Sequence, residues 1–209
     1  MRNFVYYVMI LKTGGIDMKK LLITGFDPFG GEKINPSWEA VRRLPERIGE
    51  YEVHKLQIPT VFGVAARTVL ESAAQIMPDV ILCIGQAGGR DAVTPERIGI
   101  NVRSARIPDN AGNQPQEEKI EPNGADGIFS TVPVAAMAQA IRDAGLPAAV
   151  SNTAGTFVCN DTLYALLHHY ACTHVRAGFI HVPYLPEQGN PSLSLEQITA
   201  ALTAAITVL

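Results

Sequence analysis

Apolar residues along this chain gather in short unbroken runs, and these alternate with stretches whose apolar positions recur every three or four residues. The first run, LLITGF from Leu21 to Phe26, is stopped by turn residues and predicts a buried strand. Asn35-Pro36 then supplies a helix cap and a proline at the first helical position, and Trp38, Val41 and Leu44 continue the apolar stripe. YEVHKLQIP, from Tyr51, alternates as a strand does. Val64 to Met77 predicts a helix with Ala65, Val69, Ala73 and Ile76 on one side. VILCIGQAGG, from Val80, reads as a second buried strand running into a glycine turn, and IGINVRSARI, from Ile98, as a third strand region. Pro108 to Gly127 is polar and rich in Pro, Gly and Asn, which predicts a long surface loop, and long loops in compact domains are often functional. Beyond it come a helix over Val134 to Ala144, a strand in AAVSN from Ala148, and a helix over Asn160 to Ala171. That helix carries Leu163, Leu166, Leu167 and Tyr170 at helical spacing, with Asn160 and Asp161 as its caps. A strand in RAGFIHVPY and a closing helix over Leu195 to Val208 complete the pattern. The alternation predicts an α/β fold: one domain, a three-layer α/β/α sandwich, with helices on both faces of a mostly parallel sheet.

Bulk composition narrows the function. The 209 residues are 47% hydrophobic and 18% charged, enough for one sizeable core, and a net charge of −3 offers no nucleic-acid surface. The three cysteines, Cys83, Cys159 and Cys172, are an odd number at wide spacing, so neither a disulfide framework nor a zinc site is expected, and a reducing cytoplasm is the simpler home. The apolar run from Phe4 to Leu11 is too short to span a bilayer, and no small-residue cleavage site follows it. Met18-Lys19-Lys20 leads straight into the first strand, so residues 1–17 read as an N-terminal extension ahead of a catalytic domain at 18–209. No membrane association, metal or cofactor is expected.

The chemistry gathers at the carboxyl ends of the predicted parallel strands, where such sheets place their sites. GFDPFGG follows the first strand, GQAGGRDAVTPERIGIN the second, SNTAGTFVCN the AAV strand, and IHVPYLPEQ ends the GFI strand. These segments carry one thiol, Cys159; one imidazole, His181; and one well-placed carboxylate, Glu96. An imidazole can take the thiol proton and a carboxylate can fix the imidazole tautomer, so the set fits an activated cysteine. Cys159 precedes an amphipathic helix, whose N-terminus favours a thiolate. Cys83 lies inside an apolar strand and reads as inert. Asp27, Asp91, Asp109 and Asp161 are rival orienters that spacing does not separate from Glu96. GFDPFGG lacks the phosphate-binding patterns, and its Phe26 and Phe29 suggest an apolar pocket wall.

The strings LLITGFDPFGGEKINPSWEAV, IGQAGGRDAVTPERIGINVRSARIPDNAGNQP, FSTVPV, VSNTAGTFVCND and GFIHVPYLPEQ run in order from Leu21 to Gln188. Together they resemble the pyrrolidone-carboxylate peptidases, a family of cysteine peptidases. The resemblance implies a catalytic Glu96 in T-P-E-R, a nucleophilic Cys159 in G-T-F-V-C-N and a catalytic His181 in F-I-H-V-P. It also implies a substrate pocket using Phe26, Phe29, Gln86, Phe157 and Val158, with Arg106 near the oxyanion. The fold implied is an α/β/α sandwich with a mixed sheet, many members being homotetramers. The activity implied is removal of an N-terminal pyroglutamyl residue from peptides through a thioester. Gly99 stands where the family usually has alanine, which would loosen a turn there; the residues after Asn160 differ from some relatives, and residues 1–17 have no counterpart. Two other readings compete. An amidotransferase-type glutaminase would need its cysteine on a G-x-C-x-G elbow, which T-F-V-C-N-D does not supply. In a non-catalytic α/β ligand-binding domain the cysteine would be incidental.

Overall fold

The computed structural model describes residues 18–209, so the reading of residues 1–17 as an extension lies outside the described residues. Strand β1 (Lys19–Phe26) is central, and its apolar run is continuous because both faces are covered. Helix α1 (Pro36–Val41) starts where expected: the Asn35 side chain accepts from Ser37 N, and proline occupies the first turn. A Cβ on Gly25 would come within 2.6 Å of the Trp38 backbone, so the glycine in β1 is what allows α1 to lie directly on the strand. A short β2 (Arg47–Ile48) turns into β3 (Tyr51–Ile58), and α2 (Val64–Ile76) leads to β4 (Val80–Gln86). Two more short strands follow, β5 (Thr94–Pro95) and β6 (Ile98–Ile100); β7 (Gly127–Phe129) comes after the long loop. Helices α3 (Val134–Asp143) and α4 (Val158–His169), strand β8 (Arg176–Val182) and helix α5 (Leu195–Ile206) finish the chain.

The main sheet has the order β2-β3-β1-β4-β8-β5. The four central strands are parallel, and β2 and β5 pair antiparallel at the two edges. Leu21, Ile23, Leu82, Ile84, Ile180 and Val182 pack toward α1, α3 and α5 on one face. Leu22, Phe26, Ile81, Cys83, Ala177 and Phe179 pack toward α2 and α4 on the other. This is the expected α/β/α sandwich.

Three expectations change. The AAVSN segment is not a regular strand: it touches the β5 region only at the bridges Val93↔Ala148 and Glu96↔Ser151, with Pro95, which has no N–H to donate, between them. Only Ile98–Ile100 of IGINVRSARI is a strand, paired with β7 in a separate ribbon. Past it the backbone turns to three different partners, with Arg103 bonded to Glu118, Ser104 to Thr156 and Ala105 to Pro115. Gly99 therefore belongs to a strand rather than a turn, and a Cβ there would come within 3.0 Å of the Tyr164 backbone in α4. Lastly, α4 begins at Val158 with Phe157 as its cap, so Asn160 and Asp161 lie inside the first turn and do not cap it.

The 108–127 loop is well tied. Asp109 accepts from Phe62 N, Ala111 N and Asn113 N, and Asn101 holds Ile120 N and Glu121 N.

Candidate active site

Cys159 is the second residue of α4, in the turn whose N–H groups lack intrahelical acceptors. Its sulfur lies over β4, where a Cβ on Gly85 would come within 2.9 Å of Sγ and 2.7 Å of the Phe179 ring. In the sheet register Gly85 is the direct partner of His181. Paired residues on parallel strands point to the same face, so the thiol and the imidazole are neighbours above one sheet position. The missing side chain at Gly85 makes the space in which they meet.

His181 is nearly enclosed, at 4% exposure. Its Nδ1 lies 2.8 Å from Glu96 Oε1. Glu96 follows β5, which pairs antiparallel with β8 through Thr94 and His181, and Glu96 N donates to Phe179 O at 2.9 Å. The edge strand thus carries the carboxylate back alongside the imidazole. An ionised carboxylate can only accept, so Nδ1 carries the proton and Nε2 is left free to act as a base. The rival carboxylates are engaged elsewhere. Asp27 accepts from Thr60 N, Asp109 organises its loop, and Asp161 pairs with Arg103 and accepts from Gly63 N, while Asp91 is exposed.

The electrostatics favour a neutral pair at rest. Burial, the Glu96 charge and the nearby Cys83 push the Cys159 thiol up to about 12, against a smaller downward pull from Arg90. Burial also lowers His181, although Glu96 opposes it. Burial alone would raise Glu96, but its hydrogen bond and charge interaction with His181, with help from Arg90, hold it below the ordinary carboxylate value. The Ser151 hydroxyl donates to Thr153 O, and Glu96 Oε2 is buried without a hydrogen-bond partner. The preformed thiolate expected from the helix terminus is therefore outweighed by burial. Cys83 is wholly buried and also pushed to about 12, as an inert core thiol should be.

The implied pocket residues divide. Phe26, 2% exposed, packs on Phe179 at 6.2 Å between ring centroids, and Phe179 is 4.8 Å from the His181 ring. Phe29 lies 5.9 Å from Phe157, which meets Phe62 edge-on at 5.2 Å. Phe157 also lines, with Ser104, Arg106, Ile107, Gly155 and Thr156, a cavity of about 400 Å³. Two residues are placed differently from expectation. The Gln86 side chain accepts from Gln188, whose amide also reaches Ile34 O, so it is turned toward the α1 face and away from Cys159. Val158 is fully buried in the α2/α4 core and exposes no surface to a ligand. Conversely, Phe62, Phe179 and Arg90 escaped the sequence reading. Phe179 was detectable, since it lies two residues before His181 and so on the same face of the strand. Among the described residues no His/Cys/Asp/Glu cluster could hold a metal ion, and no helix is long and apolar enough to cross a membrane.

Comparison with known proteins identifies the family. The family profile described as pyroglutamyl peptidase matches residues 19–209. The pyrrolidone-carboxylate peptidase of Levilactobacillus brevis is 57% identical over 194 residues, covering 90% of this chain and 95% of that protein. That of Staphylococcus haemolyticus is 53% identical, covering 90% and 92%. The crystal structure of Bacillus amyloliquefaciens pyroglutamyl peptidase I superposes with a TM-score of 0.88 at 48% identity, covering 91% of this chain and 96% of that one. A Pyrococcus furiosus pyrrolidone carboxyl peptidase variant gives 0.86 at 40% identity, covering 90% and 97%.

Proposed function

The chain belongs to the pyroglutamyl peptidase family, and on that premise we propose that Cys159, His181 and Glu96 carry out its reaction. The protein is a cysteine exopeptidase that removes N-terminal pyroglutamyl residues from peptides. The glutaminase and ligand-binding readings are not favoured. The observation that carries the residue assignment is the 2.8 Å Glu96–His181 contact beside a sulfur that abuts Gly85, the sheet partner of His181.

The reaction starts from a neutral thiol and a neutral imidazole. As Sγ attacks the carbonyl after the lactam ring, the thiol proton passes to His181 Nε2, and an S–C bond forms as the carbonyl becomes an oxyanion. Glu96 stabilises the imidazolium through Nδ1. The N–H groups in the first turn of α4 are assigned to the developing charge, and the family resemblance supports help from Arg106, which lines the cavity beside Phe157. Collapse breaks the C–N bond, and His181 returns its proton to the leaving amine. Water, deprotonated by the same Nε2, then releases pyroglutamate and restores the thiol.

Pyroglutamate is a neutral lactam, so recognition calls for apolar walls and a few hydrogen bonds in place of an ammonium-binding group. Phe29, Phe157 and Phe62 supply the aromatic surface, and the nearly enclosed Phe26 backs the site through its packing on Phe179. A homotetramer and a cytoplasmic location remain part of the proposal. The family resemblance supports the first, and the three unpaired thiols suit a reducing compartment. The test is hydrolysis of a pyroglutamyl-coumarin amide, with the prolyl amide as control. Wild type should cleave the first far faster, because proline lacks the lactam carbonyl and leaves pocket donors unpaired. Cys159→Ala should cleave neither. Activity surviving in that variant rejects the assignment.

A further inference from the structure

Arg90 lies in the turn after β4, outside the three groups that perform the chemistry. Its Nη1 is 2.6 Å from Glu96 Oε1, the same oxygen that receives His181 Nδ1 at 2.8 Å. The same nitrogen reaches Thr94 Oγ1, on the residue paired with His181 across the sheet edge. Its Nη2 donates to Thr153 O at 3.1 Å, in the loop that runs into α4 and Cys159. One planar guanidinium therefore joins the carboxylate, the edge strand that delivers it, and the loop that delivers the nucleophile. The Arg90 side chain is 28% exposed while Glu96 is fully buried.

We propose that Arg90 is a positioning residue for this reaction, locking Glu96 Oε1 against His181 and fixing the 151–157 loop so that Cys159 arrives over Gly85. The inference rests on the assignment of Glu96 and His181 made above. Two physical arguments support it. A buried carboxylate with one unpartnered oxygen has few restraints on its rotation, and Oε2 is such an atom. Without the guanidinium, one hydrogen bond to a neutral ring would hold the whole group. Moreover, Arg90 shares the Glu96 charge. His181 faces Glu96 and Arg90 as its charged neighbours, with the Cys159 thiol and, two pairs along the sheet, the Cys83 thiol completing the titratable set. With the guanidinium removed, the full carboxylate charge falls on the imidazole and stabilises its protonated form. That form is useless as a base.

The experiment compares Arg90→Gln and Arg90→Lys with wild type, following kcat and KM against pH on the pyroglutamyl-coumarin amide, with thermal unfolding as a check on folding. Arg90→Gln should lower kcat at neutral pH at least about tenfold, change KM little, and move the acid limb of the profile to higher pH. Arg90→Lys keeps the charge but cannot reach both Glu96 and Thr153 in the same way. It should leave the acid limb in place and lose a few-fold in kcat. An Arg90→Gln enzyme with wild-type kcat, or with reduced kcat and an unmoved limb, overturns the proposal. If the glutamine variant does not fold, wild-type kcat in Arg90→Lys overturns it. Failure of the underlying assignment has a different signature, namely activity surviving in His181→Ala whatever the Arg90 variants do.

Discussion

A glycine sets the reacting distance in this site. Gly85 has no unusual backbone requirement; what it supplies is volume, since a methyl group there would collide with both Cys159 Sγ and the Phe179 ring. Neither neighbour is free to retreat, because Phe179 is wholly buried and Cys159 is fixed by the helix start. Gly85→Ala should therefore move the sulfur off His181 and reduce kcat by about a hundredfold, the scale of an ångström-sized misplacement of reacting groups. Steady-state kinetics beside a far-ultraviolet dichroism spectrum checks this; unchanged kcat in a folded variant would mean the thiol has room to spare. The residue scale also determines the pH response. His181 must be neutral to act as base, and burial lowers its proton affinity below the ordinary 6.5. Activity should then persist as pH falls through 6.5 and fail only below it. The thiol is pushed up to about 12, so no descending limb should appear near its ordinary value of 9.0. A kcat/KM profile with an acid limb at or above 6.5 would contradict the lowered proton affinity of His181, and a descending alkaline limb would instead indicate a thiolate–imidazolium pair at rest.

At the scale of elements, α4 is placed by its own polar residues. Asn160 is fully buried, and its side chain accepts from Ile100 N while donating to Ile100 O and Val102 O, clasping the first turn of α4 to β6. Asn160→Ala would orphan those backbone groups at a cost of roughly 1–3 kcal/mol. For a chain of this size that corresponds to a fall in Tm of about 2–4 °C per kcal/mol. Calorimetry on the purified variant measures it directly, and an unchanged Tm would show that water substitutes for the amide. This clasp also marks where sequence reading stops. Leu163, Leu166 and Leu167 announced α4 through their spacing, and the apolar runs of β1, β4 and β8 announced strands, because periodicity reflects burial. Asn160 and Asp161 looked like caps since those residue types usually are; that their side chains reach residues about 60 and 98 positions away is a tertiary fact with no local signal. The two-residue β5 escaped for the same reason. A pair such as Thr94-Pro95 has no periodicity, yet it delivers Glu96 to His181. The residues of the site were legible as motifs, whereas the edge strand that joins them was not.

At the scale of the molecule, the sandwich arranges three thiols at three depths. Cys83 lies inside the sheet layer, Cys159 at the half-buried boundary between sheet and helix, and Cys172 on the exposed turn after α4. Depth here separates structural from reactive sulfur, because a modifying reagent needs the same access as a substrate. In the native protein, iodoacetamide should label Cys172 without loss of activity and Cys159, as His181 Nε2 takes its proton, with proportional loss, while Cys83 stays unlabelled until the fold is opened with denaturant. A pyroglutamyl ligand should slow labelling at Cys159 alone. Peptide mass mapping against residual activity resolves the three sites. Inactivation that tracked Cys172 or Cys83, with Cys159 unmodified, would remove the nucleophile from the boundary position on which the whole architecture converges.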